Sequence, residues 1–235
     1  MQPKTKLLLF KVLLFSMLFF TFISAMAQEF RSDISYKYMF ANKWEKAIQT
    51  YNFSRPFLEE KQPLLMHGLT ASASYIIKSS KRLKHGVHLS YSNFKSSAEN
   101  DKLNNVLNLH FLNLGYIIHF QNNENAKGFY TDLIISAVSS GLCRYVNDEP
   151  FNYDDTRSKA FGIGVGLIIR AGYSLSLKNR INLSPFVLVG YTPYVYSPNS
   201  EAVINQTKGL VSNNWTGIFT SQVGLTLHIR QQKND

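Results

Sequence analysis

A single cysteine, Cys143, stands in 235 residues, so neither an internal disulfide nor a thiolate metal site can form. Charge is scarce as well: Asp, Glu, Lys and Arg make up 17% of the chain, against roughly 25% in ordinary soluble domains. A charged, water-facing surface is not what this composition builds. Only one long apolar run exists, at the N-terminus, and mean hydropathy is -0.13. That excludes a membrane protein with several spanning helices. Aromatic residues, in contrast, reach 14%, which excludes a disordered chain. The length suits one large all-β domain or two small ones.

The N-terminal run has the order of an export signal. Lys4, Lys6 and Lys11 precede apolar residues from Val12 to Ile23, and Ala25-Met26-Ala27 supplies a small-x-small cleavage site. About twelve apolar residues are too few for a helix that needs roughly twenty to span a bilayer. Cleavage is therefore expected after Ala27, and without a cysteine there a lipoprotein anchor is not expected. Removing the three leader lysines leaves 22 basic against 15 acidic residues, a net charge of +7. That excess is modest, and export makes nucleic acid an implausible partner.

From Asn42 onward the hydrophobic period is two, and no segment is read as an amphipathic helix. The clearest run is Phe161 to Leu177. Its odd positions are all apolar, whereas Gly162, Gly164, Gly166, Gly172, Ser174 and Ser176 dominate the even ones. Residues 181–195 and 215–229 repeat the pattern. Residues 105–120 change phase near Phe111 or Leu112, which a β-bulge would accommodate. Eight strands are expected, at about 44–54, 64–77, 84–94, 105–120, 128–146, 160–177, 181–196 and 215–230. Residues 28–43 are left as an N-terminal extension or the start of the first strand, 44–230 as the barrel and 231–235 as a polar tail.

Alternation does not say which face points outward. The face of small residues suits a crowded interior better than water, so the apolar face is expected to meet lipid. Aromatic residues near strand ends, Tyr51, Phe53, Phe129, Tyr145, Phe161, Tyr173, Tyr191 and Trp215, would form interfacial girdles. Connections at 78–83, 121–127 and 178–180 are short, while those at 55–63, 95–104, 147–159 and 197–214 are long. Basic residues gather at the short side (Lys78, Lys81, Arg82, Lys84, Lys178, Arg180) and acidic ones at the long side (Glu59, Glu60, Asp148, Glu149, Asp154, Asp155).

With these features the chain resembles the small eight-stranded outer-membrane β-barrels of Gram-negative bacteria, the OmpA-transmembrane-domain-like group. The resemblance covers about residues 42–230 and is carried best by Phe161–Leu177 and Trp215–Arg230. It implies an all-β, up-and-down antiparallel eight-stranded transmembrane β-barrel contacting outer-membrane lipid and lipopolysaccharide. Two departures stand out: the chain ends in His228-Ile229-Arg230 and a polar tail instead of a terminal aromatic, and no peptidoglycan-binding domain is expected to follow.

The candidate site is the lumen. Asp132, Arg144, Arg170 and Gln222 fall on inner faces, where an isolated charge is costly and a paired one is tolerated. A lumen plugged by side chains is the expectation, with Asp132 the leading partner of Arg170. His88 and Ser90 have the His-x-Ser spacing of outer-membrane lipid A deacylases, with Glu99 a conceivable orienting group. Val87, Leu89 and Tyr91 form the apolar side, however, so His88 and Ser90 should point inward, away from lipid. They are read as a lumenal hydrogen-bonding pair, and no catalytic residue is assigned. The six histidines lack metal-ligand spacing, and the glycine run lacks the strand-turn-helix context of a phosphate loop. No metal or cofactor follows. The expected role is structural or surface recognition through the long loops, including contact with another envelope protein. A narrow porin-like channel, or an accessory subunit of an export or uptake complex, is the alternative.

Overall fold

The computed structural model describes residues 29–78, 82–100, 103–121, 127–147, 149–150, 160–178, 181–197, 200, 203–204 and 215–230. The segment 1–27 expected as an export signal, the tail at 231–235 and most of the segments 147–159 and 197–214 lie outside them.

Eight long strands form the wall: β1 (Glu29–Phe40), β2 (His67–Lys78), β3 (Leu83–Asn100), β4 (Leu103–Gln121), β5 (Gly128–Val146), β6 (Ala160–Lys178), β7 (Ile181–Tyr196) and β8 (Trp215–Arg230). Each pairs antiparallel with its sequence neighbours, and β1 pairs with β8, so the sheet closes as an up-and-down barrel with no free edge. Paired residues can be followed around the wall from Trp215 through Val195, Ile163, Ser139, Leu112, Tyr91, Ala71 and Ile34. The path returns to β8 at Leu225, ten residues farther along. Such a stagger is what tilts strands by roughly 35–45° and closes a barrel.

The first strand differs from expectation. β1 lies at Glu29–Phe40, within the segment left as an extension or the start of the first strand, so the barrel starts before residue 44. Residues 44–54, expected as a strand, belong instead to a helix, α1 (Asn42–Phe53). Trp44, Ala47, Ile48 and Tyr51 are buried and recur at helical spacing. A twelve-residue helix is marginal alone. What holds α1 is the barrel mouth, where Trp44 packs edge-on to Tyr194 at 5.4 Å and against Phe111 at 6.2 Å.

This plug also explains the apparent phase change in β4. Pairing through β4 is continuous on both sides, with no bulge at Phe111 or Leu112. Inward Leu107, Leu109 and Phe111 are apolar because they meet the helix, and outward Asn108 and His110 are polar. Polarity inverts along β4 while its geometry does not. Residues 95–104 are not a long loop either: β3 and β4 continue to the pair Asn100 and Leu103.

Candidate functional site in the barrel lumen

Alternation puts Glu29, Arg31, Asp33, Ser35 and Lys37 of β1 inside the barrel, every one of them buried. Their outward neighbours include Ile34, Tyr36 and Tyr38, all exposed. Below the plug, on the side of the short turns, the inward charges form one network. Arg31 Nε donates to Glu29 Oε1 at 2.7 Å, and Arg31 Nη1 lies 3.3 Å from Asp132 Oδ1. Arg170 Nη2 meets Asp33 Oδ2 at 2.9 Å, and Lys84 Nζ meets Glu29 Oε2 at 3.0 Å. His119 Nδ1 lies 2.6 Å from Asp132 Oδ1, and His228 Nδ1 lies 2.8 Å from Glu29 Oε1. Ser72 donates to Asp33.

Three carboxylates thus face two guanidinium groups and one ammonium. A balanced, mutually hydrogen-bonded set is the form in which buried charge is tolerated. Every carboxylate is engaged, and the side chains reach across the lumen from β1 to β5 and β6.

The structure places Asp132, Arg144, Arg170, Gln222, His88 and Ser90 inside, but not in one cluster. Asp132 and Arg170 share the ionic network. They stand directly opposite in the β5–β6 ladder, four residues from the register that a symmetric 147–159 loop would give. The reason is local. Beyond its last pair with β6, β5 continues to Val146, which pairs with Glu149, and Asn147 has a φ of 50°. Even so, Asp132 Oδ2 is 3.7 Å from Arg170 Nη1, and the nearer partner is Asp33. The leading partner of Arg170 is corrected accordingly: Arg31 and His119 occupy Asp132.

Arg144 belongs to the plug. Its guanidinium lies 4.4 Å from the Tyr51 ring centroid and donates to the carbonyl of Ile204 at 2.6 Å and to Asn105 Oδ1 at 3.1 Å. Gln222 Oε1 accepts from Ser35 at 2.9 Å. His88 Nδ1 pairs with the Ser74 hydroxyl at 2.8 Å, and Ser90 accepts from Asn113 at 2.8 Å. Glu99 sits eleven residues along β3 from His88, about 36 Å at strand rise. No nucleophile, base and orienter assemble there. Among the described residues, no group of three His, Cys, Asp or Glu is placed to hold a metal ion.

The aromatic residues expected in girdles divide. Tyr51 lies inside the plug and Phe53 at the end of α1, so neither is on a strand, because residues 42–53 are helical. Phe129 and Tyr173 face outward at the short-turn end with ring centroids 4.9 Å apart. Tyr191 packs outside on Phe219 at 4.6 Å, and Phe161, Tyr145 and Trp215 face outward toward the long-loop end.

Sequence reasoning missed Glu29, Arg31, Asp33, Lys37, His119 and His228. The β1 signal was available: charged or polar residues at every odd position from 29 to 37, against Phe30, Ile34 and Tyr36. The histidine contacts had no such signal, since tertiary proximity alone makes them.

No protein-family model matches the chain, and no curated protein matches its sequence. Solved structures with a similar course include Neisserial surface protein A (TM-score 0.46, 11% identity), covering 86% of this chain and 96% of that one. Ail, the attachment invasion locus protein of Yersinia pestis, gives a TM-score of 0.40 at 10% identity, covering 87% and 100%. The outer membrane protease OmpT of Escherichia coli gives 0.36 at 9% identity, covering 70% and 63%.

Proposed function

We propose that this chain is an integral outer-membrane barrel with a sealed lumen and a non-enzymatic role, structural or in surface recognition. One contrast carries the reading: the wall is apolar outside and charged inside. Ile34 is 72% exposed, Leu69 66% and Val187 60%, while Arg31 and Asp132 are fully buried. In water such a surface would be a severe aggregation liability. In a bilayer it is the lipid-facing band of a closed barrel, whose strands are all paired within the wall. Outward Asn93, Lys95, Asn108 and His110 mark where that band ends on β3 and β4, on the long-loop side.

Two blocks in series, the ionic network and the α1 plug, favour a closed lumen over a porin-like channel. Inward placement of His88 and Ser90 disfavours lipid A modification. Recognition is assigned to the mouth, where Phe53 and Phe57 protrude beside Arg55 and Lys61. Bound partners there would be lipopolysaccharide or another envelope protein. Export with cleavage after Ala27 fits a first strand that begins at Glu29.

Membrane fractionation with boiled and unboiled gel samples tests the location. A mobility shift in the outer-membrane fraction is expected, and a soluble periplasmic protein without a shift would refute it. Planar-bilayer recording tests the seal. Steady conductance by the intact chain would favour the channel.

A further inference from the structure

Lys37 is the one inward lysine of β1, and its surroundings differ from those of every charge in the ionic network. It is 5% exposed at mid-lumen, between that network and the plug. Its ammonium donates to Ser92 Oγ at 3.3 Å and lies 5.9 Å and 5.7 Å from the ring centroids of Phe94 and Phe111. No carboxylate among the described residues is within ion-pair distance of it. Nor does the neighbouring network have one to spare, because Glu29, Asp33 and Asp132 are matched by Arg31, Arg170 and Lys84. A buried cation with no counter-charge is among the costliest arrangements in a protein.

Beside Lys37 there is a cavity of about 20 Å³, lined by Lys37, Asn113, Thr192 and Thr220 with Phe111 and Ile168 among its apolar walls. One water-sized sphere needs about 10–15 Å³ measured this way. The lining is rich in donors. Lys37 has two N–H groups beyond the one directed at Ser92, Asn113 has a second amide hydrogen beyond the one given to Ser90, and both threonine hydroxyls can rotate inward.

We propose that this cavity binds one monatomic monovalent anion, chloride or bromide, as the counter-ion of Lys37. The close ring of Lys37, Asn113, Thr192 and Thr220 favours one small ion over a carboxylate or phosphate. A single negative charge neutralises the ammonium, which a water molecule cannot do. The site does not depend on where the barrel resides or what its mouth recognises.

Crystals of the intact barrel soaked in bromide test it directly, with an anomalous-difference peak expected within hydrogen-bonding reach of Lys37 Nζ. In parallel, unfolding in detergent is followed while gluconate is exchanged for bromide at constant ionic strength. Once bromide exceeds its dissociation constant, each tenfold rise should increase the folding constant tenfold in the wild type and leave Lys37→Met unchanged. If Lys37→Met does not fold, the Thr192→Val and Thr220→Val double variant should show a weakened bromide response. A cavity without an anomalous peak, together with wild-type unfolding indifferent to halide, would overturn the proposal. So would a bromide response of equal size in the wild type and the folded variants.

Discussion

Arg170 touches two carboxylates at different distances, and paired double-mutant cycles can rank them. Arg170→Met removes the guanidinium paired with Asp33, leaving that carboxylate with the Ser72 hydroxyl, whereas Asp132 keeps Arg31 and His119. The single change should cost about 3–5 kcal/mol, the usual consequence of orphaning a buried charge. At an effective dielectric of about 20, Coulomb attraction is about 6 kcal/mol at the 2.9 Å separation from Asp33 and about 4.5 kcal/mol at the 3.7 Å separation from Asp132. The nearer pair also gains a charge-assisted hydrogen bond of about 1.5–3 kcal/mol. The coupling of Arg170 to Asp33 should therefore exceed its coupling to Asp132 by about 2 kcal/mol or more. In the Arg170→Met background, Asp33→Asn should restore stability, and Asp132→Asn should not, because it takes a carboxylate from His119 and leaves Arg31 with Glu29 alone. Urea unfolding in detergent, followed by tryptophan fluorescence and by gel mobility of unboiled samples, measures both cycles. Recovery by Asp132→Asn, or equal coupling in the two cycles, would refute the assigned pairing.

Three further outcomes follow from the same geometry. Trp44→Ala should empty the centre of the plug and cost about 3–5 kcal/mol, read as a lower unfolding midpoint in urea, while bilayer recordings should stay silent because the ionic network below it is untouched. At Gly172 an added Cβ would lie 2.5 Å from the Tyr130 ring, so Gly172→Val should cost about 1–3 kcal/mol, read as a lower unfolding midpoint, while Gly141→Ala, with open space around it, should be nearly neutral. In a Cys143→Ser background, a membrane-impermeant thiol reagent should label Phe57→Cys on intact cells and leave Arg82→Cys unlabelled, and the opposite pattern would invert the assigned orientation.

Read alone, the sequence determined the local half of this architecture. Period-two alternation settled which side chains of β6, β7 and β8 share a face, because successive Cβ atoms in a strand point to opposite sides whatever the strand pairs with. It placed Asp132, Arg144, Arg170, Gln222, His88 and Ser90 inside on that basis. The same rule misread residues 44–54 and 105–120, since alternation was interpreted as if the interior were polar throughout. Only the tertiary structure puts α1 in the mouth, and with it there the correct inward residues on β4 are Leu107, Leu109 and Phe111. Pairing distances were decided at the same level. Alternation fixes a face but not a stagger, so the partner of Arg170 depended on the register of β5 against β6 and on β1 closing against β8, which brings Asp33 across the lumen.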